Sequence, residues 1–257
     1  MRIVIFGGTT EGRELSRLLR EAGAEVTVCV ASDYGGEEQA RVPGVETRIG
    51  PLSEEEKLEL LRGAPLCVDA THPYARHVSG SVREACRKAG TEYLRLLRPP
   101  GACNGAYPVE SAEEAADRLR HREGNILLTT GAKELPAFAG LDPERLFPRV
   151  LPSRESIAAC EEARIPHRNI IAMQGPFSRE LNAAIIRQYG IRYVVTKDGG
   201  APGGFPEKAA AARETGAELI VLRRPEERGL TMDEVLKKCM SRLRAVNINT
   251  NRRSTTP

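Results

Sequence analysis

The chain has 257 residues, of which 40% are hydrophobic, 28% charged and 4% aromatic, with no tryptophan; this is an ordinary globular composition, sized for one large domain or two of about 100 to 130 residues. General disorder is excluded, and no apolar run approaches the roughly 18 residues of a membrane span. The net charge of +3 resides in the last residues, because Lys237, Lys238, Arg242, Arg244, Arg252 and Arg253 occur without an acid and leave 32 basic against 35 acidic residues elsewhere, so no nucleic-acid-binding face is expected.

In chain order, RIVIF (2–6) reads as a first strand, then a glycine-bearing loop and a helix over 11–22. Leu15, Leu18, Leu19 and Ala22 share one face of that helix, and Gly23 ends it. EVTVCV (25–30), a short VETRI (45–49), PLCVDA (65–70) and EYLRLL (92–97) follow as strands, with helices over 53–62 and 74–89. RPPGACNGAYPVES (98–111), interrupted by proline and glycine, marks a domain junction. Beyond it NILLTT (125–130), RLFPRV (145–150), NIIAMQ (169–174), IRYVVTK (191–197) and ELIVLR (218–223) alternate with helices over 111–121, 153–164, 177–189, 206–215 and 231–244. Near-continuous Val/Ile/Leu strands alternating with helices predict mainly parallel sheets covered on both faces. The expected fold is therefore α/β, with two Rossmann-like domains and the active site in the cleft between them. The N-terminal dinucleotide-binding domain spans 1–100, the C-terminal substrate domain 101–245, and a flexible tail 246–257.

The loop GGTTEG (7–12) departs from G-x-G-x-x-G at its middle glycine, where Thr9 stands. Gly7, Gly8 and Gly12 still permit close approach of backbone to a phosphate, the hydroxyl of Thr9 is expected to donate to a phosphate oxygen, and Thr10 and Glu11 open the helix whose positive end faces it. Asp33, 21 residues past Gly12 and just after the second strand, is the expected acceptor for a ribose 2′-OH. A tight turn without a ligand is the plain alternative.

Ligands of open α/β sheets gather at the carboxyl ends of strands. There the sequence places DATHPYARH (69–77) with Thr71, His72 and Tyr74, TTGAKEL (129–135) with Lys133, RVLPSRE (149–155) with Arg149 and Arg154, MQGPFSRE (173–180) with Gln174 and Ser178, and TKDGGAPGGFPEK (196–208) with Lys197 and Lys208. Taken singly each has a structural reading: Thr71 as a helix cap, Gly131 as a turn residue, the lysines and arginines as solvated charge. Together they describe a nucleotide loop in one domain and basic strand ends in the other, suited to a reduced nicotinamide and a polyanion. His72 and His77 are five apart, and the six cysteines contain no C-x-x-C, so no metal site and no disulfide framework is expected; reduced thiols and a start without a signal segment suggest the cytoplasm.

Eight segments, GGTTEG, DATHPYA, YLRLLRP (93–99), LLTTGAKEL (127–135), RVLP (149–152), MQGPFSRELN (173–182), TKDGG (196–200) and GGFPEKAAA (203–211), resemble the precorrin-6A and cobalt-precorrin-6A reductases over nearly the whole chain. The resemblance implies an enzyme of cobalamin biosynthesis that transfers hydride from NAD(P)H to one double bond of a tetrapyrrole, giving precorrin-6B or its cobalt form. It implies cofactor contacts from residues 7–12, Asp33, Thr71 and His72, and a proton from His72, Tyr74 or water. The strand-end groups Lys133, Arg149, Arg154, Gln174, Ser178, Lys197 and Lys208 would then meet the substrate's carboxylates. Members using NADPH carry arginine after the second strand, where this chain has ASDYGGEE (31–38), so NADH is favoured with NADPH as the second choice. No membrane or nucleic-acid partner is expected, and a monomer is the working assumption. The alternatives are another NAD(P)H-dependent small-molecule reductase and a non-catalytic nucleotide-binding protein.

Overall fold

A computed structural model describes residues 1–97, 105–200, 203–224 and 227–253, the final eight by backbone alone. The chain divides into two compact units, one of residues 1–99 with 225–257, the other of residues 100–224.

In the first unit β1 (Arg2–Phe6), β2 (Glu25–Val30), β3 (Glu46–Ile49), β4 (Leu66–Asp69) and β5 (Glu92–Arg95) form one sheet in the order β3-β2-β1-β4-β5, parallel throughout. Helices α1 (Thr10–Glu21), α2 (Asp33–Gln39), α3 (Glu54–Leu61) and α4 (Arg76–Ala89) are its connections. Period-two alternation sends Ile3 and Ile5 to one face with Leu15 and Leu19 of α1, and Val4 and Phe6 to the other with Leu60, Leu61, Val82 and Cys86 of α3 and α4. Both faces are thus dry, which explains the uninterrupted apolar strands.

In the second unit β6 (Tyr107–Val109), β7 (Asn125–Thr129), β8 (Leu146–Val150), β9 (Ile171–Ala172), β10 (Ile191–Lys197) and β11 (Glu218–Leu222) form a parallel sheet in the order β6-β11-β10-β7-β8-β9. Helices α5 (Ala112–Leu119), α6 (Arg154–Glu162), α7 (Arg179–Gln188) and α8 (Phe205–Thr215) complete it. Leu127, Phe147, Val194 and Val221 pack with Ala183, Ile186, Phe205 and Ala212 of α7 and α8. The chain then returns to the first unit, where Val235, Cys239 and Leu243 of α9 (Met232–Arg253) join the core around Ile3, Leu15 and Leu94.

The last point corrects the expected domain boundary at 245. The apolar stripe of the last helix belongs to the N-terminal core, so both units cannot be contiguous in sequence. The backbone also stays helical to Arg253, well into the stretch expected to be a tail, of which residues 254–257 lie outside the described residues. Most of the expected junction, residues 98–104, also lies outside them, and β6 and α5 begin just beyond. Helix α2 was not expected because Gly35 and Gly36 weaken its propensity; Ser32 caps it by accepting from the Gly35 N–H, and Asp33 stands in its first turn. The expected strand over 169–174 shrinks to Ile171–Ala172.

Candidate functional site

The strand order of the first sheet reverses between β1 and β4, and in open α/β sheets the ligand crevice lies at the carboxyl ends beside that reversal. There the GGTTEG loop joins β1 to α1. Gly8 adopts φ 101°, and a Cβ on Gly12 would stand 3.1 Å from the Cβ of Ala70, so a side chain there would push the helix or the end of β4 back by a few tenths of an ångström. Thr9 caps α1: its hydroxyl accepts from the Gly12 N–H at 3.1 Å and donates to the Ala70 carbonyl at 2.8 Å. This corrects the expectation that Thr9 offers its hydroxyl hydrogen to a phosphate, since that hydrogen is engaged inside the protein. Thr10 and Glu11 form the first turn of α1. Thr9, Glu11, Ala70, Thr71, Pro73 and Leu96 line a pocket at this place. Asp33 is exposed in the first turn of α2, at the carboxyl end of β2.

Thr71 is no helix cap, because α4 begins at Arg76 and its cap position, Ala75, makes no side-chain bond. Its N–H and hydroxyl donate to Asp69 Oδ1 at 3.0 and 2.7 Å, and the hydroxyl also lies 3.1 Å from that of Ser79. Asp69, fully buried, receives two further bonds, from Tyr93 Oη to Oδ2 at 2.8 Å and from Arg95 Nη1 to Oδ1 at 2.9 Å. Burial, followed by the neighbouring Asp69 charge, raises the Tyr93 phenol well above its ordinary value of 10.0. Asp69, Tyr93 and Arg95 escaped the sequence reading as site residues, although Asp69 and Arg95 end adjacent strands in register, a signal readable once the strands are paired. His72 and Tyr74 are half-buried on the same loop, with ring centroids 5.5 Å apart. Among the described residues no group of three His, Cys, Asp or Glu is arranged to hold a metal.

In the second sheet the order reverses between β7 and β10. The strand-end residues expected to act together differ sharply there. Lys133 and Arg154 are exposed, and Lys197 pairs with Glu134 at 2.5 Å, so its charge is compensated internally. Gln174 is exposed, and Ser178 caps α7 by accepting from the Leu181 N–H. Arg149 is different. It follows Phe147 on the face of β8 that meets α7 and α8, yet it is only 7% exposed. Its guanidinium donates to Asn182 Oδ1 at 2.8 Å and lies 4.0 Å from the Phe177 ring centroid, and among the described residues it has no carboxylate partner. Burial lowers its pKa to about 10. Lys208, in the first turn of α8, is lowered from 10.5 to about 8 by burial and by the Arg149 charge. Lys208 is half-buried, its Nζ donates to the Gly203 carbonyl at 3.2 Å and the adjacent Glu207 carboxylate partly offsets the lowering, so Arg149 is the buried cation here that lacks a carboxylate partner among the described residues. Asn182, which orients Arg149 while its amide holds the Phe177 and Ser178 carbonyls, gave no signal in the sequence.

Comparison with known proteins gives a family model described as precorrin-6x reductase CbiJ/CobK that matches residues 2–240. A cobalt-precorrin-6A reductase of Priestia megaterium is 33% identical over 95% of this chain and 100% of its own length. One of Methanothermobacter thermautotrophicus is 36% identical over 88% of this chain and 77% of its own. A solved structure of CobK precorrin-6A reductase matches with a TM-score of 0.74 over 92% of this chain and 95% of that one, at 24% identity, a likeness of fold.

Proposed function

This chain belongs to the precorrin-6x reductase family, and from that premise we propose that it reduces one double bond of the precorrin-6A macrocycle in corrin ring biosynthesis, acting on the cobalt form with NADH. The observation that carries the reading is the pair of unlike sites: a glycine loop and helix start at the reversal of one parallel sheet, and on the other the buried Arg149, without a carboxylate partner among the described residues and with the half-buried Lys208 near it.

The first site suits a dinucleotide. Gly7, Gly8 and the N-terminal turn of α1 with Thr10 would hold its pyrophosphate, Gly12 lets α1 sit close to the end of β4, and Thr71 lines the same pocket with His72 next to it in the chain. Glu11 and Asp33 suit sugar hydroxyls, since carboxylates accept from them and repel phosphate. NADH is favoured because Asp33 is exposed where a 2′-phosphate would come, Arg48 pairs with Glu46 at 3.2 Å, and Arg13 pairs with Glu38 at 2.9 Å. When bound, the cofactor supplies the hydride.

The protein's own tasks are holding and orienting. Arg149 and Lys208 seat one substrate carboxylate, with Asn182 and Phe177 fixing the guanidinium; Lys133, Arg154 and Gln174 meet further acetate or propionate groups from the surface, Lys197 would do so only by giving up its pair with Glu134, and Ser178 serves through its cap on α7. The proton needed at the neighbouring carbon comes through the half-buried loop of His72 and Tyr74, which water also reaches. Five described cysteines are buried free thiols, in keeping with a cytoplasmic enzyme, and a monomer holds all the groups named. Among the described residues no helix is long and apolar enough to cross a membrane.

The test is an anaerobic single-turnover reaction of the protein with cobalt-precorrin-6A and NADH. One equivalent of NADH should be oxidised per macrocycle, whose mass should rise by two hydrogens. Oxidation that proceeds equally well without the macrocycle would overturn the reading.

A further inference from the structure

Arg95, in the YLRLLRP segment, donates a dense set of hydrogen bonds beside the nucleotide pocket. It is 3% exposed at the end of β5 and is the register partner of Asp69 on β4. Nη1 donates to Asp69 Oδ1 at 2.9 Å, to the Thr71 carbonyl at 3.0 Å, and at 3.3 Å to the Asp69 carbonyl and the Thr71 hydroxyl. Nε and Nη2 both donate to Glu227 Oε2, at 3.1 and 2.8 Å. Glu227 is the first described residue after the chain returns from the second unit. Three residues on, Leu230 lies parallel to Leu96, donating its N–H to the Arg95 carbonyl and accepting from the Leu97 N–H, each at 2.8 Å.

Thr71 and Leu96 both line the pocket. One guanidinium therefore grips the carbonyl of one wall residue and, through Glu227, the segment that lies along the other. An apolar pair of similar volume would hold two strands together at least as well as a buried ionic triad, so stability alone gives little reason for charge here. Directional bonding is what the triad adds, since five N–H donors in a fixed plane set the position of each acceptor.

We propose that Arg95 and Glu227 are positioning residues for the nicotinamide nucleotide: by fixing Thr71 and the strand edge at Leu96, they shape the pocket without touching the ligand. The inference rests on reading that pocket as the cofactor's. It is tested by titrating the whole protein with NADH and following dihydronicotinamide fluorescence, alongside thermal melts without ligand. Glu227→Ala leaves the Arg95–Asp69 pair in place. It should weaken NADH about tenfold, the scale of losing an orienting partner behind a ligand-binding group, with the ligand-free melting midpoint within about 3 °C of wild type. Glu227→Gln keeps an acceptor for Arg95 and should recover most of the affinity. Unchanged affinity in Glu227→Ala, or a loss in both variants that tracks a lower melting midpoint, would overturn the proposal. Should Glu227→Ala fail to fold, wild-type affinity in Glu227→Gln but a tenfold loss in Arg95→Lys supports it, and wild-type affinity in both overturns it. A wild-type protein that binds no NADH overturns the cofactor reading itself, which distinguishes the two failures.

Discussion

Replacing Lys208 by methionine should make the ligand-free protein more stable and the enzyme worse. The side chain stands in the first turn of α8, where the helix end is already positive, and its Nζ donates to the Gly203 carbonyl at 3.2 Å. Burial and the Arg149 charge lower its pKa from 10.5 to about 8, a difference that corresponds to about 3 kcal/mol against the charged form in the folded protein. The ammonium is partly open to water, so about 1 to 2 kcal/mol of this should be recovered when methionine keeps the apolar stem and removes the charge. For a chain of this size that is a rise in Tm of about 3 to 6 °C at pH 7. The folded pKa lies below the unfolded one, so the penalty is complete below pH 8, shrinks between 8 and 10.5, and is absent above. Calorimetry across that window should show wild type and variant converging as pH rises. Steady-state kinetics should show KM for the macrocycle raised about tenfold, the loss of one charge-assisted contact. A Lys208→Met protein that melts below wild type at pH 7 with an unchanged KM would refute the reasoning, because the lysine would then be a structural cation.

Asp33→Ser should narrow the preference for NADH over NADPH by about tenfold, chiefly by improving NADPH, and kinetics with both cofactors check this; an unchanged ratio removes Asp33 from the cofactor site. His72→Ala and Tyr74→Phe should each keep measurable turnover, since general acid catalysis contributes about 10²- to 10⁴-fold and water replaces a missing donor in part. Complete loss in either, with both ligands still bound, identifies it as the obligatory acid. Thr9→Val removes the α1 cap and the bond to the Ala70 carbonyl and should cost about 1 to 2 kcal/mol in denaturant melts.

The parallel sheets, most helices and the position of the glycine loop were legible in the sequence, because apolar runs such as EVTVCV and the stripe of α1 report burial directly. What escaped has physical causes. Helix α2 is hidden by two glycines, and α9 carries an ordinary amphipathic pattern that says nothing about which sheet it will cover. The basic strand ends looked equivalent because sequence shows charge and not its compensation: Lys197 is paired with Glu134, Lys133 is solvated, and Arg149 is buried without a carboxylate. Likewise Thr9 looked like a phosphate donor until the carbonyl of Ala70, 61 positions away, was found to take its hydrogen. Tertiary partners of polar groups are the information that a linear pattern lacks.

The central claim is direct delivery of hydride to the macrocycle, and isotope tracing tests it most directly. The protein is given cobalt-precorrin-6A and NADH deuterated at the transferable position of the nicotinamide, without oxygen, and the product is analysed by mass and NMR. The account predicts one deuterium per macrocycle at a single carbon, with the second hydrogen drawn from solvent. Reduced product that carries no label, or macrocycle left unreduced while NADH is bound and the protein folded, would contradict it.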